Sequence, residues 1–103
     1  MNRGDIRWYK FKYPDKKRPV LILTRDSVIE YLNEITIAPI TSTVRNIPSE
    51  VRFSTDDGMM KDCAANFDHI QTVSKAKLGA LITTLAADKL DETKAAVRFA
   101  LNV

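Results

Sequence analysis

Cysteine, histidine and glycine are scarce in this chain, and each scarcity removes a class of chemistry. The single cysteine, Cys63, has no partner for an internal disulfide, which suits a reducing compartment. The single histidine, His69, leaves no pair of imidazoles for acid–base work within one subunit. With so few His and Cys ligands, no metal centre and no cofactor are expected. The three glycines, Gly4, Gly58 and Gly79, are too dispersed to build a phosphate-cradling loop. No apolar run approaches the length needed to span a bilayer, and the polar, basic start carries no apolar signal segment. The expectation is a cytoplasmic protein without membrane attachment. Repeats, low-complexity tracts and linkers are likewise missing.

What is present fits one modest core. A chain of 103 residues that is 45% hydrophobic and 28% charged reads as a single globular domain over 1–103. The net charge of +3 hides an asymmetry. Residues 1–25 carry eight Lys or Arg against Asp5 and Asp15, a net of +6, while the remainder is net −3. A basic first quarter on an acidic body is what a polyanion-binding face requires, although Lys10 and Lys12 also read as ordinary solvated strand lysines.

Strand signals dominate. Residues 6–13 mix aromatics with cations, Ile6 and Trp8 on one face and Tyr9, Phe11 and Tyr13 on the other, ending in a Pro14-Asp15 turn. Trp8 and Phe11 are expected in the core. Residues 20–23 form a continuous aliphatic run, as in a strand buried on both faces. Residues 27–33 allow a short helical turn before a strand over 34–40. Val51 and Phe53 alternate with Arg52 in a strand over 50–53, and Asp56-Asp57-Gly58 reads as a turn with Gly58 able to take positive φ. Further strands are expected over 62–66, 69–73 and 78–83. The tail changes period, with Leu90, Val97 and Leu101, and Thr93 and Lys94 between them, near one helical stripe, Asp88 early and Arg98 late, and a poor N-cap at Ala86. Cys63 reads as a small buried hydrophobe in a strand rather than a nucleophile. Five or more short strands and a terminal helix indicate a mainly β (α+β) fold, a small bent antiparallel barrel.

Two runs stand out: Lys17-Arg18-Pro19-Val20-Leu21-Ile22-Leu23-Thr24 and Ile35-Thr36-Ile37-Ala38-Pro39-Ile40-Thr41-Ser42-Thr43. If they pair antiparallel, Arg18 at the start of one meets Thr41 at the end of the other. A guanidinium beside hydroxyls at a sheet rim matches phosphate geometry and stays charged at any usable pH. Residues alone leave open that Arg18 merely pairs with Asp15 or Glu34.

These runs resemble the R-P-V-(aliphatic) and A-P-(aliphatic)-T-S blocks of the MazF/PemK/Kid family of toxin endoribonucleases. Arg3-Gly4-Asp5-Ile6-Arg7-Trp8 is similar to the family's opening, and the segment from Lys61-Asp62-Cys63 through Asn66, Asp68, Ile70, Thr72 and Lys75 to Leu78 is similar to its K-D-(S/C) block. The blocks occur in family order over nearly the whole chain. The chain departs from the pattern at Asn66 and Gln71, where members carry arginines, and in a shorter connection between residues 11 and 17. The resemblance implies an SH3-like barrel with a C-terminal α-helix, a homodimer, and a cognate antitoxin as protein partner.

It also implies metal-independent cleavage of single-stranded RNA at short sequences. The ribose 2′-OH attacks its own phosphodiester, which needs positive charge on the phosphorane and groups that move protons. Arg18 and Thr41 match the family's catalytic arginine and threonine. Lys17, Ser42, Thr43, Arg45, Asp68 and His69 are the candidate RNA-binding residues, with Asp68 and His69 the titratable pair near a matched block. Two other readings compete. One is a non-catalytic toxin of the same fold, like the CcdB gyrase poisons; those end in Trp-Gly-Ile, whereas this chain ends Leu101-Asn102-Val103. The other is a barrel that binds RNA or protein without cutting.

Overall fold

The computed structural model describes residues 1–12 and 16–103. The Pro14-Asp15 turn, the last residue of the first expected strand (Tyr13) and any Arg18–Asp15 pair lie outside those residues. Seven strands run in the order β1 (Asp5–Lys10), β2 (Lys17–Ile22), β3 (Glu34–Thr41), β4 (Glu50–Phe53), β5 (Cys63–Asn66), β6 (Gln71–Ser74) and β7 (Leu78–Thr84). A four-residue helix, α1 (Asp26–Ile29), separates β2 from β3, and α2 (Ala87–Leu101) closes the chain.

All pairings are antiparallel, and the sheet order is β4-β5-β3-β2-β1-β7. The long strand β3 makes this curl. Its first half, Glu34 to Ile37, pairs with β6, and its end, Ile40 and Thr41, pairs with β5. Both partners share one edge of β3, while β2 takes the other. Pro39, which has no N–H to give a ladder, stands in the gap between the two partners. The outcome is a strongly curled antiparallel half-barrel with a C-terminal helix, as the family resemblance implies.

Curling places side chains of both strand faces in apolar surroundings. Leu21, Ala38 and Ile40 face one core with Ile6, Phe53, Phe67 and Leu85. Val20, Ile22, Ile35 and Ile37 face a second with Tyr9, Ile29 and Val73. This is why β2 and β3 read as near-continuous aliphatic runs. Phe11 packs on the second core, 4.8 Å from the Tyr9 ring in an edge-on arrangement. Val51 and Phe53 are buried and Arg52 exposed, as the alternation requires.

Two local details differ from the sequence expectation. Trp8 is only half-buried and belongs to neither core. On α2, the buried face is Thr93 and Ala96, with Leu90, Val97 and Ala100 packed beside them; Leu101 is exposed. At about 100° per residue, Thr93, Ala96 and Ala100 cluster around one direction and Leu101 falls well to its side. The small residues let the helix lie close to the sheet. Ala86 gives α2 no side-chain cap, whereas Gly58 takes the expected left-handed conformation, φ +94°.

Asp5 shows what the opening block does. It is buried, its Oδ1 accepts the Thr84 hydroxyl at 2.8 Å, and its Oδ2 accepts the Asn2 N–H at 2.9 Å. This carboxylate pins the start of β1 to the end of β7.

Candidate active site

The β2–β3 register fixes the centre of the site. Val20 pairs with Pro39, Leu21 with Ala38 and Ile22 with Ile37. Continuing that register two residues brings Arg18 opposite Thr41. Both line one open cavity of about 540 Å³. Glu34 stands at the opposite end of β3, seven residues from Thr41 or about 23 Å along the strand, so it is no partner for Arg18. Among the described residues, no carboxylate lies within ion-pair distance of Arg18.

The cavity is basic on an apolar lining. Lys16, Lys17 and Arg18 enter from the β2 side and Lys61 from the segment before β5. No Asp, Glu or His is among its described lining residues. Thr41 and Ser42 supply hydroxyls from the end of β3. Trp8, Met59 and Met60 form part of the apolar wall, with Leu81 and Ile82 from β7. Trp8 was expected in the core, and β1 instead turns it toward this opening. Met60 is 85% exposed and puts its thioether at the opening of the cavity.

Thr41 is oriented by its own loop. Its Oγ1 accepts the Thr43 N–H at 3.1 Å, a local turn that occupies one lone pair and leaves the hydroxyl proton free to donate. Thr43 therefore acts on the site through Thr41 and does not itself line the cavity. Cys63 lines the floor and is buried. Burial pushes its thiol pKa up, Asp62 and Asp57 reinforce the shift, and Lys61 opposes it, so the sulfur is a poor nucleophile.

Three expected RNA-binding residues lie elsewhere. Beyond Ala64, which pairs with Thr41, β5 runs back along β3 and away from the site, carrying Asp68 and His69 with it. Asp68 is engaged there, its Oδ2 accepting the Ser49 hydroxyl at 2.6 Å and its N–H donating to Asn66 Oδ1 at 2.9 Å. His69 Nδ1 lies 3.5 Å from the Asn66 amide. Asn66, one of the departures from the family pattern, thus organises this turn. Arg45 is drawn to Glu50: its N–H donates to Oε1 at 2.9 Å and its guanidinium is 3.9 Å from Oε2.

Residues that the sequence reading missed are Lys16, Lys61 and the Met59–Met60 pair. Lys61 belongs to a matched block, so its position was visible, but only the fold brings it to the same cavity as Arg18. Nothing in the sequence distinguished Met59 from ordinary core.

The chain matches the model of the family described as "PemK-like, MazF-like toxin of type II toxin-antitoxin system" over residues 2–101. It is 41% identical over 75 residues to endoribonuclease MazF3 of Mycobacterium tuberculosis, spanning 73% of each chain. It is 33% identical over 93 residues to the probable endoribonuclease MazF2 of the same organism, 89% of each. Among solved structures, M. tuberculosis toxin MazF-mt6 superposes with a TM-score of 0.88 at 33% identity, covering 96% of this chain and 97% of that one. A mycobacterial endoribonuclease solved with its cognate antitoxin has the same fold, with a TM-score of 0.89 at 22% identity and coverage of 100% and 96%.

Proposed function

Because the chain belongs to the PemK-like, MazF-like toxins of type II toxin–antitoxin systems, we propose that the basic cavity at the ends of β2 and β3 is where it cuts RNA. The chain is an endoribonuclease and the toxin of a pair held in check by a cognate antitoxin. The observation that carries the location is the register that sets Arg18 opposite Thr41 inside a cavity with four cations.

The 2′-OH attacks the adjacent phosphorus, the 5′-oxygen leaves, and the products are a 2′,3′-cyclic phosphate and a 5′-OH end. Arg18 holds two oxygens of the phosphorane through its guanidinium fork, where negative charge builds. The Thr41 hydroxyl, directed by the Thr43 N–H, donates to a phosphate oxygen or polarises the 2′-OH. Lys16, Lys17 and Ser42 take the neighbouring phosphate. Arg45, Asp68 and His69 have no part in the cut; they belong to the loops around β4 and β5. The chemistry written this way uses no metal.

Single-stranded substrate follows from the mechanism, since in-line attack needs a backbone free of the duplex geometry. The whole chain acts as one toxin domain over 1–103 in the cytoplasm, and no helix in it is long and apolar enough to cross a membrane. It works as a homodimer, with Phe99, Leu101 and Val103 at the end of α2 among the exposed apolar side chains a second copy would cover.

The test is cleavage of a long RNA by the purified protein in EDTA, beside Arg18→Ala and Thr41→Ala. The expected result is cleavage that persists in EDTA and falls about 10²–10³-fold in either variant. Cleavage abolished by EDTA, or intact in both variants, would sink the mechanism.

A further inference from the structure

The cavity holds more than a phosphate site, and its far side shows what else it takes. Across β3, Arg18 lies on the β2 edge and the segment of Lys61 and Cys63 on the β5 edge. Two interstrand spacings put these segments up to about 10 Å apart, with Thr41 between them. A phosphate held at Arg18 and Thr41 therefore leaves room toward Lys61 for the sugar and base attached to it. That side carries Met59 and Met60, and Met60 is 85% exposed at the cavity rim. A flat base covering an exposed thioether and the Trp8 wall buries apolar area that otherwise faces water.

We propose that Lys61 reads the base next to the scissile phosphate. It favours a base with a keto oxygen at pyrimidine C4 or purine C6, uracil or guanine, over one with an amino group at that position, cytosine or adenine. The argument rests on the Proposed function only for the placement of the phosphate. An ammonium has three N–H donors and no acceptor. Uracil O4 and guanine O6 accept from it; cytosine N4 and adenine N6 point hydrogens at it, and two donors facing each other repel. Lys61 is exposed on the cavity lining and has no ion-pair partner within 4.0 Å among the described residues, so its donors are uncommitted. Met60, with the Trp8 wall, supplies the apolar surface that makes this contact a base contact.

The experiment has two stages. Cut sites on a long RNA are mapped by end sequencing, and short RNAs carrying one site are then made with each base at the two flanking positions. One flanking position is expected to require uracil or guanine, with cytosine or adenine there lowering kcat/KM at least tenfold. In Lys61→Met that preference collapses to within about threefold, and Lys61→Arg, which keeps the donors, retains it. Cleavage with cytosine or adenine preferred at both positions overturns the inference while the nuclease stands. So does a Lys61→Met loss equal for all four bases, which would mark Lys61 as a phosphate contact with a reduced salt slope. No cleavage of any RNA would remove the nuclease reading itself, and the inference with it.

Discussion

Replacing Glu50 by alanine should destabilise the protein more than replacing its charge partner, Arg45. The Glu50 side chain is almost wholly buried, whereas that of Arg45 is 54% exposed. Glu50 Oε1 accepts the Arg45 backbone N–H at 2.9 Å, a hydrogen bond to a charged acceptor, for which a net of about 1.5–3 kcal/mol is typical. The guanidinium lies 3.9 Å from Oε2, and a pair with one partner half in water contributes about 0.2–1 kcal/mol. Arg45→Ala keeps the backbone bond; Glu50→Ala loses both. Against these gains stands Oε2, buried with no hydrogen-bond partner, so the cost is about 1–2 kcal/mol for Glu50→Ala and under about 1 kcal/mol for Arg45→Ala. In urea, with a slope of about 1–3 kcal/mol per molar, the larger loss moves the midpoint by roughly 1 M. The loop that Glu50 anchors begins at Thr41, so kcat for RNA should fall with it. Equal midpoint shifts in the two variants would refute the reasoning, since the guanidinium rather than the main chain would then be holding the carboxylate.

Three more outcomes are expected. Ala86→Ser supplies the missing N-cap of α2, where φ −73° and ψ 166° already suit a capping residue, and should raise stability by about 1 kcal/mol in urea melts. Arg18→Lys keeps the charge but loses the fork, so kcat should fall at least about tenfold while KM changes less; an unchanged kcat would show that charge alone suffices. The raised Cys63 pKa gives a stability contribution that is complete below the unfolded thiol value and is lost as pH rises above it. Wild type should therefore lose more stability than Cys63→Ala between about pH 8 and 10, with the native thiol reacting with iodoacetamide far more slowly than the denatured one.

The fold was legible where local pattern and burial agree. The uninterrupted aliphatic run of β2 announced a strand covered on both faces, and Arg18 with Thr41 could be paired because antiparallel geometry leaves few alternatives. Legibility failed where the answer depends on which strand comes next to which. Asp68 and His69 sit in a matched block, yet β5 runs away from Thr41, so nearness in sequence to a site block did not bring them into this cavity. Trp8 obeys its strand's alternation, but the curl of the sheet makes its face the cavity wall rather than core. The buried Glu50 broke the usual rule for carboxylates because a loop main chain, invisible in the sequence, comes to meet it. On α2, Thr93 is buried as its place in the stripe suggested, whereas Leu101 was drawn to the stripe by hydrophobicity and packing distance favoured Ala96 and Ala100.

The branching of β3 has a temporal consequence. Thr41 meets Arg18 from 23 positions earlier, Lys61 from 20 later, and Leu81 and Ile82 from about 40 later. None of these meetings is local, and completing the cavity waits on the slow, long-range pairings of β5 with β3 and β7 with β1. A growing chain lacks the full cavity until β7 has been made, so the wall that Leu81 and Ile82 supply is the last part of it to arrive.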